Sequence, residues 1–152
     1  MFTTTVVSVR DNLTKIVDDI NAAQWDEANE ISPYREQALR QYLDTTDTVF
    51  ITCYRSEAGE SELLGMASGR VEIKPYDATQ WLYVDEVDVC VNQRRKGVGR
   101  ALMEAMCALA VEADCELVWL GTEPNNTAAN ALYDSLEPDE VEPFTGYCFE
   151  LD

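Results

Sequence analysis

A chain of 152 residues that is 46% apolar and 26% charged makes one globular domain, spanning residues 1–152, and excludes wholesale disorder. No apolar run approaches the roughly 20 residues of a membrane span, and the opening Met1-Phe2-Thr3-Thr4-Thr5 lacks the regions of a signal peptide. Eleven Lys and Arg face 29 Asp and Glu, a formal charge of −18 that repels phosphates and excludes nucleic acid as a partner. The expectation is a soluble cytoplasmic protein with no membrane partner. Two readings of the acidity stand: a solvated coat of the salt-adapted kind, or a surface that attracts cationic substrates. The absence of His excludes His-based triads and His metal sites, and no metal is expected. Five cysteines without C-x-x-C spacing read as structural thiols in a reducing compartment.

In chain order, residues 2–9 read as a β-rich strand. Asp11 and Asn12 are N-cap types before Leu13, Ile16, Val17 and Ile20, which share one helical face. Ser32-Pro33 is an N-cap and N1 pair for a second helix ending near Leu43. Residues 48–55 and 63–73 form strands about a polar turn containing Gly59, and Trp81 to Val91 is the next strand. A helix follows with apolar positions 98, 101, 102, 105, 106 and 109 at helical spacing. Residues 116–121 make a short strand, Asn125-Asn126 cap a short helix through Leu136, and residues 141–151 alternate as a strand or hairpin. The order β-α-α-β-β-β-α-β-α-β is α/β with mixed strand directions.

Chemistry concentrates in Arg94-Arg95-Lys96-Gly97-Val98-Gly99-Arg100. Four of the eleven cations lie there, leaving seven against all 29 acids elsewhere. Gly97 and Gly99 let backbone approach a ligand closely, and the helix that follows aims free N–H groups and a positive dipole end at it. This is a phosphate cradle. It is not a P-loop, because no Gly-Lys-Ser/Thr follows, and a third glycine for the dinucleotide fingerprint is missing.

Arg94-x-x-Gly97-x-Gly99, between a Val-rich strand and a long helix, resembles the acetyl-CoA motif R/Q-x-x-G-x-G/A of GNAT-superfamily N-acetyltransferases. Asn126-x-x-Ala129-x-x-Leu132-Tyr133 resembles that family's N-x-x-A-x-x-L/F-Y helix, and the element order matches along nearly the whole chain. Within the family the chain is similar to the aminoglycoside 3-N-acetyltransferase branch, through Gln41-Tyr42-Leu43, Thr48 to Ile51, Glu86 to Val89 and Ala131-Leu132-Tyr133. One departure is plain: Glu137-Pro138 stands where the family carries Gly-Phe.

The resemblance implies a GNAT-like mixed, mostly antiparallel sheet with helices on both faces, splayed between its two middle strands. Acetyl-CoA would serve as co-substrate. Val87, Val89 and Val91 would offer main-chain groups to the pantetheine arm, with their side chains in the core. Amides from Arg95 through Lys96, Gly97, Val98 and Gly99 to Arg100 would hold the pyrophosphate, with charge from Arg94 and Lys96; Asn126 would bond near the pantetheine and Ala129 would let it pass. Tyr133 would be the general acid. Strand parity sets Glu86 and Asp88 opposite the valines, toward an open cleft. Glu86 is the first candidate for general base, Asp88 the second, and Glu123 a further cleft carboxylate for a cationic acceptor. The implied acceptor is a primary amine of a small cationic, aminoglycoside-like molecule. The alternatives are a protein N-terminus or lysine and, in another class, a non-catalytic acetyl-CoA-binding sensor. A homodimer is compatible with the family.

Overall fold

Five strands lie side by side in chain order: β1 (Phe2–Val6), β2 (Thr48–Glu57), β3 (Glu60–Ile73), β4 (Gln80–Val89) and β5 (Leu117–Trp119). The first four pair antiparallel and β4 pairs β5 parallel. The computed structural model describes all 152 residues, in two compact units, Met1–Gly121 and Thr122–Asp152. No helix is long and apolar enough to cross a membrane.

The larger unit holds the sheet with helices on both faces. On one face lie α1 (Leu13–Ala22) and α2 (Glu36–Asp44). Leu13, Ile16, Val17 and Ile20 of α1 and Leu39 of α2 bury against Phe50, Leu63 and Met66 of the sheet. Asn12 caps α1 by accepting from the Lys15 N–H at 3.1 Å. The Tyr42 hydroxyl fastens α2 to the sheet by donating its one proton between the Gly69 carbonyl at 2.8 Å and the more distant Val49 carbonyl at 3.2 Å.

On the other face lies α3 (Val98–Glu112), with Val98, Leu102, Met103, Met106 and Ala110 buried. Gly65 makes its close seat possible. A Cβ there would stand 3.0 Å from Val98 Cγ1, 3.1 Å from Leu102 Cδ1 and 2.8 Å from the Asp88 carbonyl oxygen.

Two expectations fail. The second helix starts at Glu36 rather than at Ser32-Pro33, with Arg35 at the N-cap making no side-chain cap bond. The cause is Asn21 of α1: its carboxamide accepts from the Tyr34 N–H at 2.8 Å and donates to the Tyr34 carbonyl at 3.0 Å. That carbonyl is the one an earlier helix would have needed for its own ladder. The first ladder bond is instead Leu39 N–H to Arg35 carbonyl, 3.0 Å. The second failure is the strand or hairpin expected over 141–151, where the chain forms no strand. A strand exists through a ladder partner. The unit of residues 122–152 contains one regular element, α4 (Thr127–Ser135), and so offers it none.

Candidate active site

The register of β4 shifts at Asp85. Ser68 faces Glu86 while Gly69 faces Val84, so Asp85 is the extra residue of a bulge, exposed and ion-paired with Arg70. After the bulge Val87 and Val89 share a face with Leu82 and Val84, although their parity differs. Glu86 and Asp88 turn to the face of Tyr83, opposite Ser68 and Met66.

Beside this stretch the sheet opens. The β4–β5 ladder ends at Tyr83↔Trp119, six residues before β4 does. Cys90 N–H still donates to the Leu64 carbonyl at 2.9 Å. By the alternation of an antiparallel pair, Asp88 and Glu86 also point their main-chain groups at β3, and Val87 and Val89 point theirs into the gap. Val91 departs from expectation. It lies beyond the strand in a 3-10 turn, its side chain is exposed, and its N–H donates to the Gln24 carbonyl at 3.0 Å. Residue 90 turns the chain out of the sheet, so position 91 cannot continue the edge.

The basic turn sits between that 3-10 turn and α3. Arg95 (φ 63°) and Gly97 (φ 88°) are left-handed, and Lys96 between them is not. Alternation of this kind gathers successive N–H groups into one concavity. Gly97 is the N-cap of α3 and offers no side-chain cap, so the N–H groups of Val98, Gly99 and Arg100 keep no intrahelical acceptor. The Gly97 position rests over Phe2, whose Cζ would be 3.8 Å from an added Cβ. The residues present therefore fit an anionic diphosphate, held by main-chain donors at a positive dipole end.

Arg94 does something else: its guanidinium donates to Asp26 at 2.8 Å, which ties the turn to the α1–α2 connection. Asp26 also accepts from Ala28 N–H, and these two bonds, the backbone one first, hold its carboxyl below the usual range. Lys96 and Arg95 are exposed, without an ion pair. Arg100 approaches Glu104 at 4.0 Å. Gln93, which no spacing singles out, is buried under the turn, accepting from Arg55 at 3.1 Å and donating to Glu62 at 3.5 Å.

The carboxylate face of β4 meets a cleft of about 370 Å³ between the sheet and the segment leading into α2. Glu86, Ser68 and Phe50 floor it, and Tyr34, Tyr42, Leu39, Arg35 and Glu30 line its walls and mouth. Tyr34 stands 6.1 Å from Phe50, ring centre to ring centre, and Tyr42 6.4 Å. Glu86 is exposed to the cleft, as expected. Asp88 is not: it is 6% exposed, because it lies opposite the core residue Met66 beneath the α1–α2 layer. Its Oδ2 has no hydrogen-bond partner. Burial, then the charge and hydrogen-bonding reach of Glu86, push the Asp88 carboxyl far above the usual carboxylate range. The same two carboxylates, after burial, push Tyr34 up to about 12. No sequence signal marks Tyr34 for the cleft, because Ser32-Pro33 places it in the first turn of a helix.

In the smaller unit, Asn126 caps α4, its Oδ1 accepting from Ala129 N–H at 3.1 Å. Asn130 ties down the preceding loop, donating to the Asn126, Glu123 and Pro124 carbonyls at 2.8, 3.0 and 3.4 Å. Glu123 is exposed, and Tyr133 is half-buried in the last turn of the helix. Glu137 adopts φ 56°, the left-handed cap that the missing glycine would have taken.

A model of the acetyltransferase (GNAT) family matches residues 14–137. The chain belongs to that family. This acetyltransferase has no match among curated proteins. Its fold is shared by an aminoglycoside acetyltransferase, meta-AAC0020, from an uncultured soil metagenomic sample, solved with trehalose: TM-score 0.83 at 18% identity, over 99% of this chain and 97% of that one. The same protein solved with sisomicin gives TM-score 0.83 at 17% identity, with the same coverage. A ribosomal-protein-alanine N-acetyltransferase from Brucella melitensis biovar Abortus 2308 gives TM-score 0.73 at 15% identity, over 99% of each chain. At these identities the likeness is one of fold. The family generally uses acetyl-CoA.

Proposed function

We propose that this acetyltransferase moves an acetyl group from acetyl-CoA to a primary amine of a small cationic acceptor, aminoglycoside-like in its chemistry. The observation that carries the reading is the position of Glu86, an exposed carboxylate on the floor of an aromatic-walled cleft, one residue from a strand edge open to a ligand. Acidic and aromatic surfaces both favour ammonium groups. The neighbour solved with sisomicin supports the acceptor class.

Acetyl-CoA, when bound, supplies the activated acetyl group and the departing thiol. The amides of Arg95 to Arg100 and the charge of Lys96 would hold its diphosphate, and the main-chain groups of Val87 and Val89 its pantetheine arm. Asn126 and Ala129 join them by the motif they share with the family, Asn126 with its amide nitrogen, since its oxygen caps α4.

The chain's own task is the proton. A primary ammonium loses its proton near pH 10, so at neutral pH it must be relieved of it before the nitrogen can attack. Glu86 accepts that proton, and Asp88 acts behind it. Tyr133 returns a proton to the thiolate, the role its motif implies; a phenol with an ordinary value near 10 suits a thiolate near 8.5. Glu123 is a further anionic contact for the acceptor.

The test is thiol release from acetyl-CoA with sisomicin, a polyamine and a buffer control. Release above the control with sisomicin or the polyamine is expected, and none with either overturns the acceptor class. The neighbour that acts on a ribosomal protein's alanine favours a second reading, a protein N-terminus. Acetylated N-termini in a treated lysate, found by mass spectrometry without turnover of small amines, would decide for it.

A further inference from the structure

We infer that Glu86 and Asp88 form a proton-exchanging cation site: without acceptor they share one proton, and a docking ammonium displaces it. The inference rests on the acceptor reading above and specifies how that site takes charge.

Three observations lead to it. The two carboxylates are on one face of β4, two residues apart, opposite Ser68 and Met66. Asp88 is nine-tenths buried with an unpartnered oxygen, and no cation pairs with either residue among the ion pairs of the chain. Glu86 opens onto a cleft large enough for a sugar-sized amine.

Two adjacent carboxylates in such a place cannot both ionise without a counter-charge. A proton on Asp88 gives it a donor, and Glu86 is the acceptor within reach. The other groups facing the pair do not neutralise it. Tyr34, from the segment before α2, stays a neutral phenol, with Tyr42 of α2 behind it. Glu30 and Arg35 lie along the cleft, and the facing β3 residues, Ser68 and Met66, do not titrate.

The balance is simple. An ammonium enters, one proton leaves to solvent, and the pair becomes a dianion around a monocation. The dianion then takes the proton of that same ammonium, which frees the nitrogen lone pair and restores the shared-proton state. Asp88 therefore holds a proton beside Glu86, and the acceptor's own charge displaces it.

Calorimetry of sisomicin binding near pH 6, below the range in which Asp88 gives up its proton, tests this in buffers of different ionisation enthalpy. Wild type should release close to one proton per amine bound, and Asp88→Asn should bind with release near zero. Buffer-independent heat in wild type, or unchanged release in Asp88→Asn, overturns the exchange while leaving the acceptor reading intact. Absence of any amine binding overturns both.

A second arm needs no ligand. A carboxyl whose folded value lies above its unfolded value binds more protons folded, so its contribution falls as pH rises from the unfolded toward the folded value. Wild type should lose thermal stability relative to Asp88→Asn from about pH 4 upward, the ordinary carboxylate value. Parallel profiles from pH 4 to 8 overturn the shared proton.

Discussion

The basic turn and the carboxylate pair lie at opposite ends of one problem: each gathers like charge in a small space. The turn does it with backbone. Its N–H groups point inward because Arg95 and Gly97 are left-handed, and its cations remain in water or, like Arg94, pair with Asp26. The carboxylate pair does it with side chains, one of them deprived of water. Backbone donors are fixed in place and carry no net charge, whereas a buried carboxylate must be neutralised by a proton or a ligand. The turn is therefore a static receptor, and the pair is a group whose state changes during the reaction.

The sharpest way to break this contrast is Glu86→Gln. It should lower kcat by on the order of a hundredfold or more, the usual worth of a positioned base, while acetyl-CoA affinity by calorimetry stays unchanged. In wild type kcat/KM should climb with pH as the pair sheds its proton, above the usual carboxylate range, and the variant should lose that limb. Gly97→Val acts on the other side. A left-handed conformation costs a side-chain-bearing residue roughly 1–2 kcal/mol, so acetyl-CoA affinity should drop by about tenfold. If acceptor binding falls equally, the two regions are not separable.

Gly65→Ala tests what lies between them, the seat of α3 against β3. The added methyl meets the Asp88 carbonyl and Val98 together, and overpacking of about 1–3 kcal/mol should appear as a lower thermal midpoint. Smallest is Glu137→Gly, which relieves a left-handed residue and should stabilise the protein by about 1 kcal/mol in denaturant titration.

How legible each region was follows from the same contrast. The turn could be read in the chain because glycines, a basic run and a helical stripe are local signals that specify local backbone. The pairing of Glu86 with Asp88 on one face was legible as well, since strand parity is local. The burial of Asp88 was not, because it depends on α1 and α2 packing over Met66. The α2 start was misread because the deciding residue, Asn21, lies 13 positions before the backbone it holds. The alternation of Tyr147, Phe149 and Leu151 suggested a strand, but alternation names a face and cannot supply a neighbour.

The bulge at Asp85 turns chain length into chemistry. Were Asp85 instead taken into the ladder opposite Ser68, the pairing would run unbroken from Trp81, and every later side chain would trade places across the sheet. Two acids would be driven beneath Leu102 and two valines would line the pocket floor. The same sequence paired without the bulge would have a hydrophobic floor where its base belongs.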